Sequence, residues 1–379
     1  MDNNMRLQLN DLDSSWENIR EIVPYGCGLE AYRTLNRIVK DFKVPFIVDN
    51  DTKKQGKLFR DKCIVSPEFL QERKVGRKVL VTIAKRRYPE ISRYLESLGL
   101  VKNVDFCHIS QFCLEWYYKY RGERCIFTMD IPVTTACTLN CKNCNMFIPY
   151  HKKKPIVRGF EELKQDVDLL FENIDYVFAM GILGGEAFLN PDLGAFLEYL
   201  STNYKNKIGS ILITTNGVVA PKEEILCKLK ENDILVTISD YRATIQERSS
   251  IEYVDDLLKS HGIYSNIRGD LVWCDFGFPE EPLDLDNAEA AYHMKQCDPG
   301  WRGLADGKFY FCNCAWSAEK AGLISLEEED YIDLNRITNR DVLLKYTISG
   351  PQRGYMSICK YCGGCGEDNV NYVEAGRQI

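Results

Sequence analysis

Short, continuously apolar runs alternate, from residue 20 to about residue 110, with segments whose apolar positions recur every three or four residues. "IREIVPYGCG" reads as a strand running into glycines, "LEAYRTLNRIVKDF" as an amphipathic helix and "VPFIVDND" as a short buried strand. "RKVLVTIA" and "YPEISRYLESLGL" repeat the pair. Such alternation predicts an α/β parallel sheet, with ligands at the carboxyl ends of its strands.

A second series begins near Ile126. "CIFTMDIPVTTA", "YVFAMGILGGE", "KIGSILITTNG", "DILVTISDY" and "YSNIRGDLVWCDF" read as strands; "EELKQDVDLLFENI", "LGAFLEYLSTNY", "KEEILCKLKEN" and "IEYVDDLLKS" read as the helices between them. About six strand–helix units fit, fewer than the eight of a closed barrel, so an open partial barrel is expected. From about Ala288 the pattern gives way to short segments with Gly, Trp and six cysteines, a loop-rich region expected to be held by a metal. The expected domains are 1–120, 121–287 and 288–379.

The 379 residues are 45% apolar and 27% charged, ordinary values for a globular chain. The first twenty residues are polar, and no apolar run approaches the ~20 residues of a membrane span. A cytoplasmic location is therefore expected, where the 16 cysteines would persist as thiols and clustered ones would bind metal. A net charge of −7 argues against nucleic acid as the main partner. The basic runs "KRR" at 85–87 and "HKKK" at 151–154 read as solvated stretches.

"TTACTLNCKNCNMF" places Cys137, Cys141 and Cys144 in a C-x3-C-x2-C pattern, three thiols where a structural metal takes four ligands. Two readings are open on spacing alone. A zinc ion could recruit His151, or an iron–sulfur cluster could keep one iron free.

The motif and its place after a strand resemble the radical SAM superfamily, whose open iron is chelated by S-adenosylmethionine (SAM). The resemblance continues at successive strand ends. "GGE" (Gly184, Gly185, Glu186) matches the motif that binds the methionine amino group, through close backbone approach and a charge-assisted hydrogen bond. "TTNG" and "ISD" end the next two strands, and Thr215, Asn216 and Ser239 resemble positions contacting the SAM ribose or carboxylate. The residue before the last cysteine is commonly aromatic in that family but is Asn143 here, which leaves Met146 or Phe147 to pack against adenine.

A second set begins with Cys297, nine residues, Gly307, four residues and Cys312, followed by Cys359, Cys362 and Cys365 in "CKYCGGC". This resembles the SPASM and Twitch extensions of radical SAM enzymes. The short final spacing matches the Twitch arrangement, with one auxiliary 4Fe–4S cluster in addition to the SAM-binding 4Fe–4S cluster. The implied ligands are Cys297, Cys312, Cys359 and either Cys362 or Cys365, with Cys314 a further candidate and structural zinc the alternative metal. Cys27, Cys63, Cys107, Cys113, Cys125 and Cys227 lie singly among apolar neighbours and are expected in cores.

"YGCGLEA" gives Gly26-x-Gly28-x-x-Ala31 between a strand and a helix, and Asp49 ends the next strand. This is the spacing of a nucleotide-binding βαβ unit, with phosphate at the helix start and the acid on a ribose. The region also resembles the Rossmann-like domain that accompanies sugar acyltransferases and polysaccharide-biosynthesis enzymes. The resemblances together imply reductive cleavage of SAM to a 5′-deoxyadenosyl radical that takes hydrogen from a substrate carbon, with a reductant such as flavodoxin or ferredoxin. An auxiliary cluster that accepts the substrate's electron makes the net reaction an oxidation; otherwise epimerisation or rearrangement follows. The N-terminal domain implies a small-molecule substrate of nucleotide-sugar or glycan-precursor type. Peptide maturation and a non-catalytic iron–sulfur protein are the competing readings.

Overall fold

The computed structural model describes residues 12–71, 76–245, 249–269, 272–277, 282–297, 300–366 and 369–379. Residues 1–11, more than half of the stretch read for a leader, lie outside the described residues. The chain divides into two compact units, Met1–Phe127 with Asp175–Ala179, and Thr128–Ile174 with Met180–Ile379.

In the first unit a six-stranded sheet runs β3-β4-β2-β1-β5-β6, formed by β1 (Glu21–Tyr25), β2 (Ile47–Val48), β3 (Leu58–Phe59), β4 (Lys62–Val65), β5 (Arg77–Val81) and β6 (Phe106–His108). Only β3 is antiparallel; the others pair in parallel. Counting the parallel strands in chain order gives 3-2-1-4-5, five of the six places of the doubly wound order 3-2-1-4-5-6. Strand residues alternate between two apolar cores. Ile22 and Leu80 face one, with Leu35 and Ile38 of helix α1 (Leu29–Asp41). Val23, Tyr25, Val79 and Val81 face the other, with Ile91 and Leu95 of α2 (Tyr88–Ser97). Burial on both faces explains why these strands read as continuous apolar runs.

The sheet departs from the expectation at β2. "VPFIVDND" keeps only two residues of ladder because Pro45 has no N–H to donate. No helix joins β2 to β4. "DNDTKKQG" folds into turns in which Asp49 Oδ1 accepts from Asp51 N (2.8 Å) and Asp51 Oδ1 from Lys53 N (3.0 Å). A helical run closes the unit, α3 (Ile109–Gln111), a π-helical turn (Phe112–Trp116) and α4 (Tyr117–Arg121).

The second unit is built on an eight-stranded sheet, β11-β10-β9-β8-β7-β13-β14-β15. Strands β7 (Cys125–Thr134), β8 (Tyr176–Gly184), β9 (Ile208–Thr215), β10 (Leu235–Ser239) and β11 (Ser265–Arg268) follow one another in chain order. The short helix α5 (Ile148–His151) lies beyond the cysteine loop. Helices α6 (Phe160–Asn173), α7 (Leu193–Asn203), α8 (Glu223–Glu231), then α9 (Arg242–Ile245) with α10 (Ile251–Ser260), fill the four crossovers.

Five successive strands joined by four helical crossovers thus stand where about six strand–helix units were expected. The stretch read as one strand, "YSNIRGDLVWCDF", splits: β11 stays in the sheet, and β12 (Val272–Cys274) turns away to pair antiparallel with β16 (Tyr372–Glu374). The sixth parallel place, beside β7, goes to β13 (Arg302–Ala305), which arrives from the cysteine-rich region after α11 (Asn287–Cys297). Asp306 and Gly307, both at positive φ, form the two-residue turn into β14 (Lys308–Tyr310), and β15 (Tyr331–Asp333) extends the meander. Gly307, read first as a spacer between cysteines, donates its N–H to buried Asp166 Oδ1 of α6 at 2.6 Å, and Asp166 also pairs with buried Arg158. Helices α12 (Asn313–Lys320) and α13 (Asp341–Ser349) complete the unit. Among the described residues no helix is long and apolar enough to cross a membrane.

Candidate metal centre

Strand β7 leads directly into the cysteine loop. Thr134 Oγ1 accepts from Ala136 N (3.0 Å), and Cys144 N and Phe147 N bond back to Cys141 O and Cys144 O (3.3 and 2.9 Å), coiling the loop around the three thiols. Cys137, Cys141 and Cys144 share an apolar cluster with Leu139, Val218, Ile245, Tyr241 and Trp273. Burial pushes each thiol up to about 11, so a bound cation is needed to hold all three as thiolates at neutral pH.

N–H donors surround the sulfurs. Leu139 N (3.4 Å) and Asn216 Nδ2 (3.5 Å) approach Cys137 Sγ, and Gln378 Nε2 lies 3.2 Å from Cys141 Sγ. The backbone N–H groups of Met146 and Ile148 serve Cys144. Donors of this kind suit the charged sulfurs of a cluster. His151, the residue available as a fourth zinc ligand, is buried and engages Ser317 O and Oγ through Nε2 (3.2 and 3.1 Å). The donor set therefore fits a cluster held by three protein sulfurs. Among the described residues no three His, Cys, Asp or Glu side chains close on a single ion, so the fit is one of donor chemistry.

The glycines of "GGE" also meet a packing demand. A Cβ on Gly184 would lie 2.6 Å from Thr134 O, and one on Gly185 would lie 2.5 Å from Ala136 O and 2.7 Å from Cys137 Cβ. Gly185 N and Glu186 N donate to Thr134 O and Ala136 O, both at 2.8 Å. The close approach is to the cysteine loop itself. Glu186 is fully buried; its Oε2 accepts from Thr215 Oγ1 and Asn216 N (both 2.9 Å) and its Oε1 from Phe188 N (3.3 Å). Burial nevertheless raises its carboxyl to about 7, the environment of a carboxylate suited to a cationic partner.

Thr215 and Asn216 thus meet the cysteines and Glu186 at one place, and Asn216 Nδ2 also reaches Thr138 Oγ1 at 3.2 Å. Ser239, buried at the end of β10, hydrogen-bonds Tyr241, whose ring crosses Trp273 edge-on with centroids 5.5 Å apart. Met146 and Phe147 are both buried beside α5; Met146 O accepts from Ser317 Oγ at 2.5 Å, and Phe147 adopts φ +52°. Asn143 points elsewhere, its Nδ2 donating to Asp275 Oδ1 at 3.0 Å.

The second cysteine set surrounds a pocket of about 460 Å³, part of it open to solvent, lined by Cys297, Cys312, Cys314, Cys359 and Cys362 with Phe276 and His293. Cys365 adjoins it, its Sγ 3.6 Å from Cys297 Sγ. Burial pushes Cys359 up to about 12 and holds Cys362 well above the usual thiol range. Six sulfurs are more than one cluster needs. The two sets are tied together by Asp275. Asp275 O and Gly364 O both accept from Asn369 Nδ2 (2.9 and 2.8 Å), Asp275 N donates to Asn371 O (2.9 Å), and Gly363 N to Phe276 O (2.7 Å).

In the first unit, Gly26 (φ +112°) fits against Thr82 O and Ile83, where a Cβ would lie within 2.9 Å of both. Gly28 caps α1 without a side chain. Asp49 is turned inward, its Oδ2 accepting from Cys27 N at 2.7 Å and lying 3.2 Å from Lys54 Nζ, so the acid expected on a ribose holds the glycine loop. Two of the cysteines expected in cores, Cys63 and Cys227, are exposed; Cys63 alternates with inward Ile64 on β4, and Cys227 follows buried Leu226 on α8. Cys27, Cys107, Cys113 and Cys125 are buried.

Sequence reading missed Tyr241, Asp275 and Gln378. Tyr241 adjoins "ISD", a local signal; Asp275 and Gln378 reach the loop from more than a hundred residues away and leave none.

Residues 131–262 match the model of the radical SAM superfamily. The antilisterial bacteriocin subtilosin biosynthesis protein AlbA of Bacillus subtilis (strain 168) is 32% identical over 111 residues, covering 28% of this chain and 22% of that protein. Among solved structures, anSMEcpe with bound AdoMet and the Cp18Cys peptide aligns at 14% identity, with a TM-score of 0.42, over 67% of this chain and 92% of its own. BtrN in complex with AdoMet and 2-DOIA aligns at 18%, also at 0.42, over 68% and 98%.

Proposed function

We propose, on the premise that residues 131–262 are a domain of the radical SAM superfamily, that the chain is an enzyme binding a 4Fe–4S cluster through Cys137, Cys141 and Cys144 and SAM at the open iron. Bound there, cluster and SAM supply a 5′-deoxyadenosyl radical that takes hydrogen from a substrate carbon. The observation that carries the reading is the meeting of three donor-ringed sulfurs with a buried carboxylate whose carboxyl is raised to about 7.

Each residue has a task. Glu186 holds the methionine ammonium, while Thr215 and the Asn216 backbone fix the carboxylate's orientation. Asn216 Nδ2 spans Cys137 and Thr138, keeping the loop at its distance from β9. Ser239, through Tyr241, and Met146 shape the wall toward the nucleoside. Tyr241, Trp273, Val218 and Ile245 exclude water from the sulfurs, which protects a reactive radical from side reactions.

Cys297, Cys312, Cys359 and either Cys362 or Cys365 would hold one auxiliary cluster; by accepting the electron of the substrate radical it would make the net reaction a two-electron oxidation. Anaerobic reconstitution should give about eight irons per chain, two clusters of four. With dithionite and SAM the protein should release 5′-deoxyadenosine. Intact clusters without that product overturn the reading.

The strand order 3-2-1-4-5 and the Gly26–Gly28 loop at the start of α1 support a nucleotide-sugar substrate. The similarity to a protein named for bacteriocin biosynthesis favours a second reading, a ribosomal peptide substrate. Calorimetric titration with UDP- and GDP-sugars separates them. Saturable binding supports the first; no binding, together with deuterium transfer from a peptide substrate to 5′-deoxyadenosine, supports the second.

A further inference from the structure

The segment after β16 closes over the cysteine loop. Lys142 N donates to Arg377 O (2.8 Å), Ile379 N to Asn140 O (3.0 Å), and Gln378 forms an antiparallel bridge with Cys141. The Gln378 amide is used at both ends: Oε1 accepts from Asn140 N at 2.7 Å, while Nε2 donates to Cys141 Sγ at 3.2 Å and to Gly376 O at 2.5 Å. The approach is prepared two residues earlier. Thr244 Oγ1 donates to Ala375 O (3.1 Å), and Gly376 takes φ +76° where a Cβ would meet Tyr241 Cγ at 2.7 Å and Thr244 Oγ1 at 2.8 Å. Backbone pairing, a glycine only that site requires and a side-chain bond to Asn140 thus aim one amide N–H at one sulfur.

We propose that Gln378 is a positioning residue for the cluster, its amide N–H bonding the Cys141 thiolate and raising the cluster's reduction potential. The inference rests on the cluster reading above. A donor drains charge from the sulfur, and the reduced cluster, which carries more negative charge, gains most. Asn216 and Leu139 act on Cys137 in the same sense. Gln378 differs in coming from the segment that follows the second cysteine set, so the two sets share one stretch of chain: residues 359–365 supply sulfurs to one and residue 378 a donor to the other.

The test is an EPR-monitored redox titration of the reconstituted full chain as wild type, Gln378→Met and Gln378→Glu. Methionine has similar length and no donor; glutamate keeps an acceptor for Asn140 N but sets an anion at the sulfur. Losing one hydrogen bond to a charged group is expected to shift the reduction equilibrium roughly tenfold, about 59 mV for one electron. The expected order of potentials is wild type, then Met, then Glu, each lower than the last. A role in loop stability alone would change iron content without this order. If Gln378→Met does not hold the cluster, Gln378→Glu, which retains the Asn140 bond, is titrated alone and must still fall below wild type. Unmoved potentials in cluster-bearing variants overturn the inference and leave the cluster reading standing. A wild-type chain that takes up no cluster overturns both.

Discussion

Gly185→Ala separates two reasons for a glycine beside the cysteine loop. The added methyl would lie 2.5 Å from Ala136 O, 2.7 Å from Cys137 Cβ and 2.8 Å from Ala136 C. Ordinary carbon contacts begin near 3.5 Å, so β8 and the loop must separate by roughly 1 Å. All three obstacles are backbone or a Cβ, with no flexible side-chain end to swing aside. The movement also strains the bonds from Gly185 N to Thr134 O and from Glu186 N to Ala136 O. Overpacking of this kind costs about 1–3 kcal/mol, which lowers the melting temperature by about 2–4 °C per kcal/mol for a domain of this size. Because Cys137 is one of the atoms displaced, iron uptake should fall as well. Thermal denaturation of the metal-free protein and iron per chain after reconstitution measure both effects. A variant that melts and loads iron like wild type but loses affinity for SAM would refute the packing argument and return the glycine to a ligand-facing role.

Glu186→Gln should weaken SAM binding by more than tenfold, since the ammonium loses its charged partner (a bond worth about 1.5–3 kcal/mol); equilibrium dialysis against the cluster-loaded protein reads it, and unchanged affinity counts against Glu186 as the ammonium site. Asp166→Ala should destabilise the second unit by about 3 kcal/mol, because it takes from buried Arg158 its hydrogen-bonded carboxylate, leaving the longer contact to Asp306 Oδ1 (3.9 Å), and removes the acceptor for Gly307 N; a denaturant midpoint close to wild type would contradict this. His108 gives a pH dependence to the first unit. It is buried, donates from Nε2 to Ile83 O (2.9 Å), accepts at Nδ1 from Ser110 N (3.2 Å) and lies near Lys85, and burial lowers its pKa from 6.5 to about 4. The unfolded chain binds the proton first, so stability falls as pH drops below about 6.5 and the loss is complete near 4, amounting to about 3 kcal/mol. His108→Gln should flatten that part of the stability profile, measured by urea unfolding from pH 4 to 7; an unchanged profile would exclude His108 as its source.

The elements that position the centre were legible because their signals are local. Cys137, Cys141 and Cys144 follow a strand, Glu186 ends the next, and Thr215, Asn216 and Ser239 end the two after, each within a few residues of its own strand pattern. Pairings over long separations were not legible. β12 leaves the barrel because its partner is β16, a hundred residues on, and β13 takes the place beside β7 from beyond the last barrel helix. Gln378 finds Cys141 across 237 residues by the same kind of strand contact. Residue type alone leaves open which of two purposes a residue serves. Gly184 and Gly185 fit equally a ligand or a backbone neighbour, and the neighbour is the cysteine loop. Asp49 has the spacing of a ribose ligand, yet it is used by Cys27 N. Cys63 and Cys227 lie among apolar residues in sequence but on the outward phase of their strand and helix.

The most direct test of the central claim is the EPR spectrum of the reduced chain with Cys297, Cys312, Cys359, Cys362 and Cys365 all replaced by alanine, recorded with and without SAM. About four irons per chain and a reduced-cluster signal that changes on adding SAM are predicted, both lost on further replacement of Cys141. Iron-free protein carrying zinc, or a cluster signal indifferent to SAM, would contradict the account.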